Sequence, residues 1–173
     1  MYHGSVTQAI VSFNPAEEDT VGSGIYFTSE AKDAIGYAKR RSRGRNDASP
    51  TLYEVQVENL RLANLKKDEN VKNILHGFKE VLKQKLSDPN VKWHYEGALQ
   101  KSIAIISQGK VGSGNLREVT FNHTALFTQY LQSLGYDGLI AFEGGEGTEV
   151  GNHDTYVIFD PKKVKIIDKQ KVA

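Results

Sequence analysis

Chemistry in this chain has to come from a short list of side chains, because the 173-residue sequence contains no cysteine. Disulfides, thiolate nucleophiles and Cys-type zinc centres are thereby excluded. His76, His94, His123 and His153 are scattered without an HExxH pair, so no metal site is expected. What stands out is His3-Gly4 in MYHGS, and Tyr26 and Tyr37 within GSGIYFTSEAKDAIGYAKRR, Gly22 to Arg41. Two tyrosines and a glycine-rich approach within one strand–helix unit are a site-shaped arrangement; ordinary core aromatics are the plain alternative. Just beyond them lies a basic tract of Lys39, Arg40, Arg41, Arg43 and Arg45. It suits an anion, either a phosphate-bearing ligand or an acidic target; a solvated basic loop is the plain alternative. GSG has neither GxGxxG nor Walker spacing, so a phosphate loop is rejected. The acids of EGGEGTEVGNHD (Glu143, Glu146, Glu149 and Asp154) read by themselves as loop charges.

These residues need elements to carry them. Gly22 and Gly24 permit close backbone approach, Ile25 to Phe27 has strand character, and a helix through Tyr37 would be capped by Ser29 or Thr28. Met1 to Ser5 frays unless a strand ties it down, and Val6 to Val21 reads as loop around Asn14-Pro15 and Glu17-Glu18-Asp19. Leu52 to Val57 alternates as an amphipathic strand. Apolar spacing predicts helices over Lys66 to Leu86, Tyr95 to Ile106 and Phe121 to Leu134, with Asn122 as a cap and Gly135 as a stop. Tyr136 to Phe142 and Thr155 to Phe159 are strands flanking the acidic loop, and Val164 to Ile167 is a further short one. The expectation is one mixed α+β domain over residues 1–173, without internal repeats. A net charge of +1 gives no global field. No apolar run is long enough to span a bilayer and no leader pattern opens the chain, so a soluble, cytoplasmic protein without membrane contact is expected.

Taken together and in order, YHGS, GIYFT with its second tyrosine, GYDG and TYVIFDP resemble the ADP-ribosyltransferase superfamily of the diphtheria-toxin and poly(ADP-ribose) polymerase type. The likeness is in particular to the small ADP-ribosyltransferase domains of phage and bacterial polyvalent proteins, and it spans the chain. It implies a split antiparallel β-sheet with flanking helices and NAD as the ADP-ribose donor. His3 would bond a ribose hydroxyl, the backbone of Gly4 beside Ser5 would take the carboxamide, and Tyr26 and Tyr37 would sandwich the nicotinamide. A carboxylate would stabilise the oxocarbenium-like ribose.

Here the sequence departs from the family pattern. Polymerase-like relatives place a glutamate immediately before the tyrosine of the last strand, and Thr155 stands there before Tyr156. Asp154 would point to the opposite face unless a bulge re-aims it. Glu143, anchored at a strand end, is therefore preferred as the carboxylate, Asp154 is second, and Glu146 and Glu149 remain in the loop. The resemblance implies one ADP-ribose unit transferred to a macromolecule, protein or nucleic acid. The implied setting is conflict between phage and bacteria, as a toxin or effector with an antitoxin or host target as partner. The start at MYHGS suggests a domain excised from a longer chain, a free-standing protein being the alternative. Two other readings stand beside this one: an inactive NAD-binding or protein-interaction module on the same fold, and nucleic-acid binding by the basic tract.

Overall fold

The structure, a computed structural model, describes residues 1–15, 21–143 and 153–172. Its centre is a seven-stranded sheet in the order β4-β5-β6-β2-β1-β3-β7. The strands are β1 (Tyr2–Ser5), β2 (Ile25–Thr28), β3 (Thr51–Val57), β4 (Leu62–Asn64), β5 (Gly138–Glu143), β6 (His153–Ile158) and β7 (Val164–Lys171). All neighbours are antiparallel except β4 and β5, which run parallel. The helices are α1 (Ala31–Ser42), α2 (Asp68–Leu86), α3 (Trp93–Ser107), the single turn α4 (Arg117–Thr120) and α5 (Thr124–Ser133). The architecture is α+β, as the sequence predicts.

Alternation along the strands gives the sheet two apolar faces. On one, Leu139, Ala141 and Val157 join Val71, Leu75, Phe78, Leu99, Phe127 and Leu131 of the helices. The α2 residues Val71, Ile74, Leu75, Phe78 and Leu82 recur at helical spacing and are buried, and Phe78 meets Phe127 of α5 edge-on at 4.9 Å. Emptying a site such as Phe78 to alanine costs about 3–5 kcal/mol. On the other face Phe13, Ile25, Phe27, Tyr53, Val55 and Ile158 form a second cluster. The outermost strand β7 carries Lys165, Lys169 and Lys171, charges that discourage further strand pairing.

The joint between β1 and β2 positions the site. These strands share one registered pair, Tyr2 with Thr28, whereas β1 pairs with β3 over its whole length. Beyond Tyr2 the two halves of the sheet part. Helix α1 lies over β1 with Ala34 and Ala38 buried beneath it, and a Cβ at Gly4 would collide with the Ala34 carbonyl oxygen. Glycine is thus required at position 4 by close packing of helix on strand. Gly24 serves a similar end, since a Cβ there would stand 2.6 Å from Val157 Cγ1 and 2.8 Å from the Ile158 carbonyl oxygen.

Several boundaries differ from expectation for local reasons. Helix α1 starts after Glu30 with no side-chain cap; Thr28 Oγ1 instead accepts the Glu30 backbone N–H at 3.3 Å. Asn122 does not cap α5, because Phe121–His123 forms a 3-10 turn and α5 opens at Thr124. The last strand runs past Ile167 to Lys171, paired along β3. Glu17-Glu18-Asp19, Glu146 and Glu149 lie outside the described residues.

Candidate active site

A cavity of about 380 Å³ opens where the sheet parts. Tyr26, Thr28, Ala141, Glu143, His153 and Thr155, from one face of the sheet, make up much of its floor. Thr155 is registered with Thr28 on one side and Ala141 on the other, and Tyr26 lies one alternation along from Thr28. Its walls come from α1, through Asp33, Ala34, Tyr37 and Arg40, and from the segment entering α4, through Ser113, Leu116 and Arg117. Seven residues singled out from sequence meet in this one cavity: His3, Gly4, Tyr26, Tyr37, Arg40, Glu143 and Thr155. Residues 26 and 37 are joined by strand-to-helix continuity, whereas His3, Glu143 and Thr155 arrive through strand order.

The His3 ring is fixed from two sides. Its Nδ1 lies 2.8 Å from the Tyr26 carbonyl oxygen, bridging the divergence of β1 and β2. A carbonyl only accepts, so Nδ1 carries the proton and, in the neutral ring, Nε2 is the acceptor. Phe13 packs edge-on against the ring at 4.9 Å. Burial lowers the His3 pKa, partly opposed by the Tyr26 carbonyl, so the neutral form is favoured.

Both tyrosines are held by their hydroxyls. Tyr26 donates to the Gly22 carbonyl oxygen at 2.7 Å and accepts from the Val21 N–H at 3.2 Å, which sets the ring on the cavity floor. The Tyr37 hydroxyl accepts from Arg41 Nη2 at 2.8 Å, and the Arg40 guanidinium lies 4.9 Å from the Tyr37 ring centroid. The basic tract and the aromatic wall are therefore one unit.

The acids separate clearly. Thr155 Oγ1 donates to Glu143 Oε2 at 2.8 Å, although the residues are twelve apart on different strands. Glu143 is registered with His153, which also lines the cavity, and Ala141 with Thr155, so Glu143 and Thr155 are diagonal neighbours on one face. Asp154 is registered with Phe142 without a bulge; its carboxylate turns away to Lys66 Nζ at 2.6 Å and does not line the cavity. Alternation alone accounts for this. Ser5 also lies outside the lining, and its Oγ accepts the Thr7 backbone N–H at 3.3 Å.

Sequence reasoning did not single out Asp33, Ser113, Arg117 or the placement of His153. Asp33, Tyr37 and Arg40 share a helical face, a signal present in the spacing. Ser113 carries none: it reaches the site because Asp68 Oδ1 accepts both its N–H at 2.7 Å and its Oγ–H at 2.8 Å. The backbone bond from Ser113 holds the Asp68 carboxyl below its usual range.

An α+β domain whose sheet parts over a cleft of tyrosines, histidine and a carboxylate is the class defined so far. A comparison with protein-family models matches residues 1–173 to the family described as ADP-ribosyltransferase in polyvalent proteins. The chain belongs to that family. No curated protein and no solved structure matches it significantly.

Proposed function

We propose that this chain is an NAD-dependent mono-ADP-ribosyltransferase in which Glu143 supplies the carboxylate. The observation that carries the reading is the 2.8 Å bond from Thr155 to Glu143, inside the cavity lined by His3, Gly4, Tyr26 and Tyr37. The threonine stands where polymerase-like relatives have their glutamate, and a carboxylate from β5 reaches the same spot. In the reaction the bond between ribose C1′ and the nicotinamide nitrogen breaks, and nicotinamide leaves with the electron pair. A bond forms from C1′ to the nucleophile of a protein or nucleic-acid acceptor, whose proton passes to a carboxylate. Positive charge developing on the ribose is offset by Glu143 in a partly desolvated cleft. Tyr26 and Tyr37 offer ring faces to the cationic pyridinium. His3 Nε2 accepts from a ribose hydroxyl, and the backbone of Gly4 meets the carboxamide. One unit is transferred, because Thr155 replaces the glutamate associated with polymer formation.

The direct test is to incubate the protein with NAD labelled in the adenylate and follow nicotinamide release and label transfer to proteins and nucleic acids. Release by wild type and its loss in Glu143→Gln are expected. A protein whose melting temperature rises with NAD while no nicotinamide appears would be the binding module instead.

A further inference from the structure

We infer that Arg40 and Arg117 form a diphosphate clamp across the cleft, a proposal that rests on reading the cavity as an NAD site. Apart from its histidines, they are the basic residues of the described lining, and they come from two different walls, α1 and α4. The other members of the basic tract, Lys39, Arg41, Arg43 and Arg45, do not line it. Within the cavity, one residue of the tract is the anion contact, completed by an arginine 77 positions away.

Each guanidinium is set for the task by an aromatic neighbour. Arg40 lies over Tyr37 and Arg117 over Phe121, both at 4.9 Å from the ring centroid. Stacking occupies a guanidinium's flat face and leaves its planar edge of N–H donors, the geometry that matches paired phosphate oxygens. Among the described residues neither arginine has a carboxylate partner, whereas Lys66, Lys83, Lys85 and Lys163 are each ion-paired. The wall bearing Arg117 is held in place by the Asp68 bonds to Ser113 and by the Gly112 N–H bond to Asn115 Oδ1 at 2.8 Å. Along α1, Asp33 and Arg40 are separated by about 10 Å of helix rise. That wall is acidic at one end and basic at the other. A ligand with a cationic ring at one end and a diphosphate further along fits this polarity.

The test is equilibrium binding of NAD, ADP-ribose and nicotinamide riboside to wild type, Arg117→Gln and the Arg40→Gln/Arg117→Gln double variant. Arg117 is the deciding position because its ring partner is Phe121, whereas Arg40 lies over Tyr37 itself. Losing a charge-assisted bond predicts a Kd for NAD and ADP-ribose about tenfold higher in Arg117→Gln. The riboside, lacking diphosphate, should bind wild type and Arg117→Gln equally, which also reports an intact fold. The double variant should flatten the salt dependence of NAD binding. Wild type that binds NAD with an affinity unchanged in both variants overturns the clamp alone. Equal weakening of all three ligands in Arg117→Gln also overturns it, as loss of structure. A wild-type protein that binds none of them overturns the clamp together with the NAD reading.

Discussion

Thr155 Oγ1 points its hydrogen at Glu143 Oε2 across 2.8 Å, from the middle of the sheet to the neighbouring strand. Thr155 is buried, and Thr28 flanks it on the other side. A hydroxyl donor cannot replace a carboxylate, but it can orient one. Glu143→Gln is therefore expected to lower the rate of nicotinamide release by about 10²–10³-fold while changing NAD affinity little, as for removal of one electrostatic stabiliser. Thr155→Val, which keeps the shape and removes the donor, should lower it by about tenfold. Thr155→Ser should restore most of that loss. Single-turnover rates beside equilibrium binding separate the two effects; equal losses in the serine and valine variants would mean that the hydroxyl does not position Glu143.

Asp154 supplies the matching control. Its carboxylate is paired with Lys66 on the surface, both side chains partly exposed, and such pairs contribute about 0–1 kcal/mol. Asp154→Asn should leave nicotinamide release within about twofold of wild type and the midpoint of urea unfolding nearly unchanged. A loss comparable to that of Glu143→Gln would assign the chemistry to the wrong acid.

Tyr26 allows ring and hydroxyl to be separated. Its bonds to the Gly22 carbonyl oxygen and the Val21 N–H tie the cavity floor to the preceding loop. Tyr26→Phe keeps the aromatic face and should cost about 1 kcal/mol of stability with NAD affinity reduced only a few-fold. Tyr26→Ala removes the face itself and should raise the Kd for NAD at least tenfold. Denaturation and calorimetric titration of the two variants distinguish anchoring from stacking.

How far the sequence discloses this arrangement depends on the range of the interactions. Tyr26 and Tyr37 are legible because they sit in one strand–helix unit, and the side on which Asp154 falls follows from strand alternation. Helix α2 is legible in its apolar spacing, whose five buried residues all face the core. By contrast β4, three residues from Leu62 to Asn64, is too short to show a period and exists through its parallel pairing with β5. The α4 wall is hidden for a similar reason: Asp68 fixes Ser113 from 45 positions away, and nothing local announces it. The start of α1 is not legible in a Ser29 or Thr28 cap, because Glu30, like Lys67 and Lys92 before α2 and α3, precedes its helix without a side-chain cap bond. Acidic residues in the first turns of these helices, such as Asp33, Asp68 and Glu96, favour the N-terminal dipole instead.

Gly4 has two demands on it, and stability can be measured apart from chemistry. A methyl group at position 4 would run into the Ala34 carbonyl oxygen, which is backbone and cannot rotate away. Gly4→Ala should therefore destabilise the fold by about 1–3 kcal/mol or more, as overpacking does. The expected readout is a lower melting temperature in the absence of any ligand. An unchanged melting temperature would show that α1 moves off β1 without penalty.

The pH dependence of stability follows from His3 and His123. Burial lowers the pKa of both; His3 keeps a bond to the Tyr26 carbonyl oxygen, and His123 lies between Tyr95 Oη at 2.7 Å and Ser102 Oγ at 3.0 Å. In the unfolded chain each imidazole titrates near about 6.5. Below that value the unfolded state takes up protons that the folded state refuses, so unfolding is favoured as pH falls. Stability should be full above the unfolded value, decline as pH drops through it toward the lowered folded values, and level off below them. Urea unfolding from pH 7.5 to 5 should show this decline. His3→Gln and His123→Gln should each reduce its steepness, with the double variant flatter than either. A wild-type profile level across that range would mean that neither ring is held neutral by its surroundings.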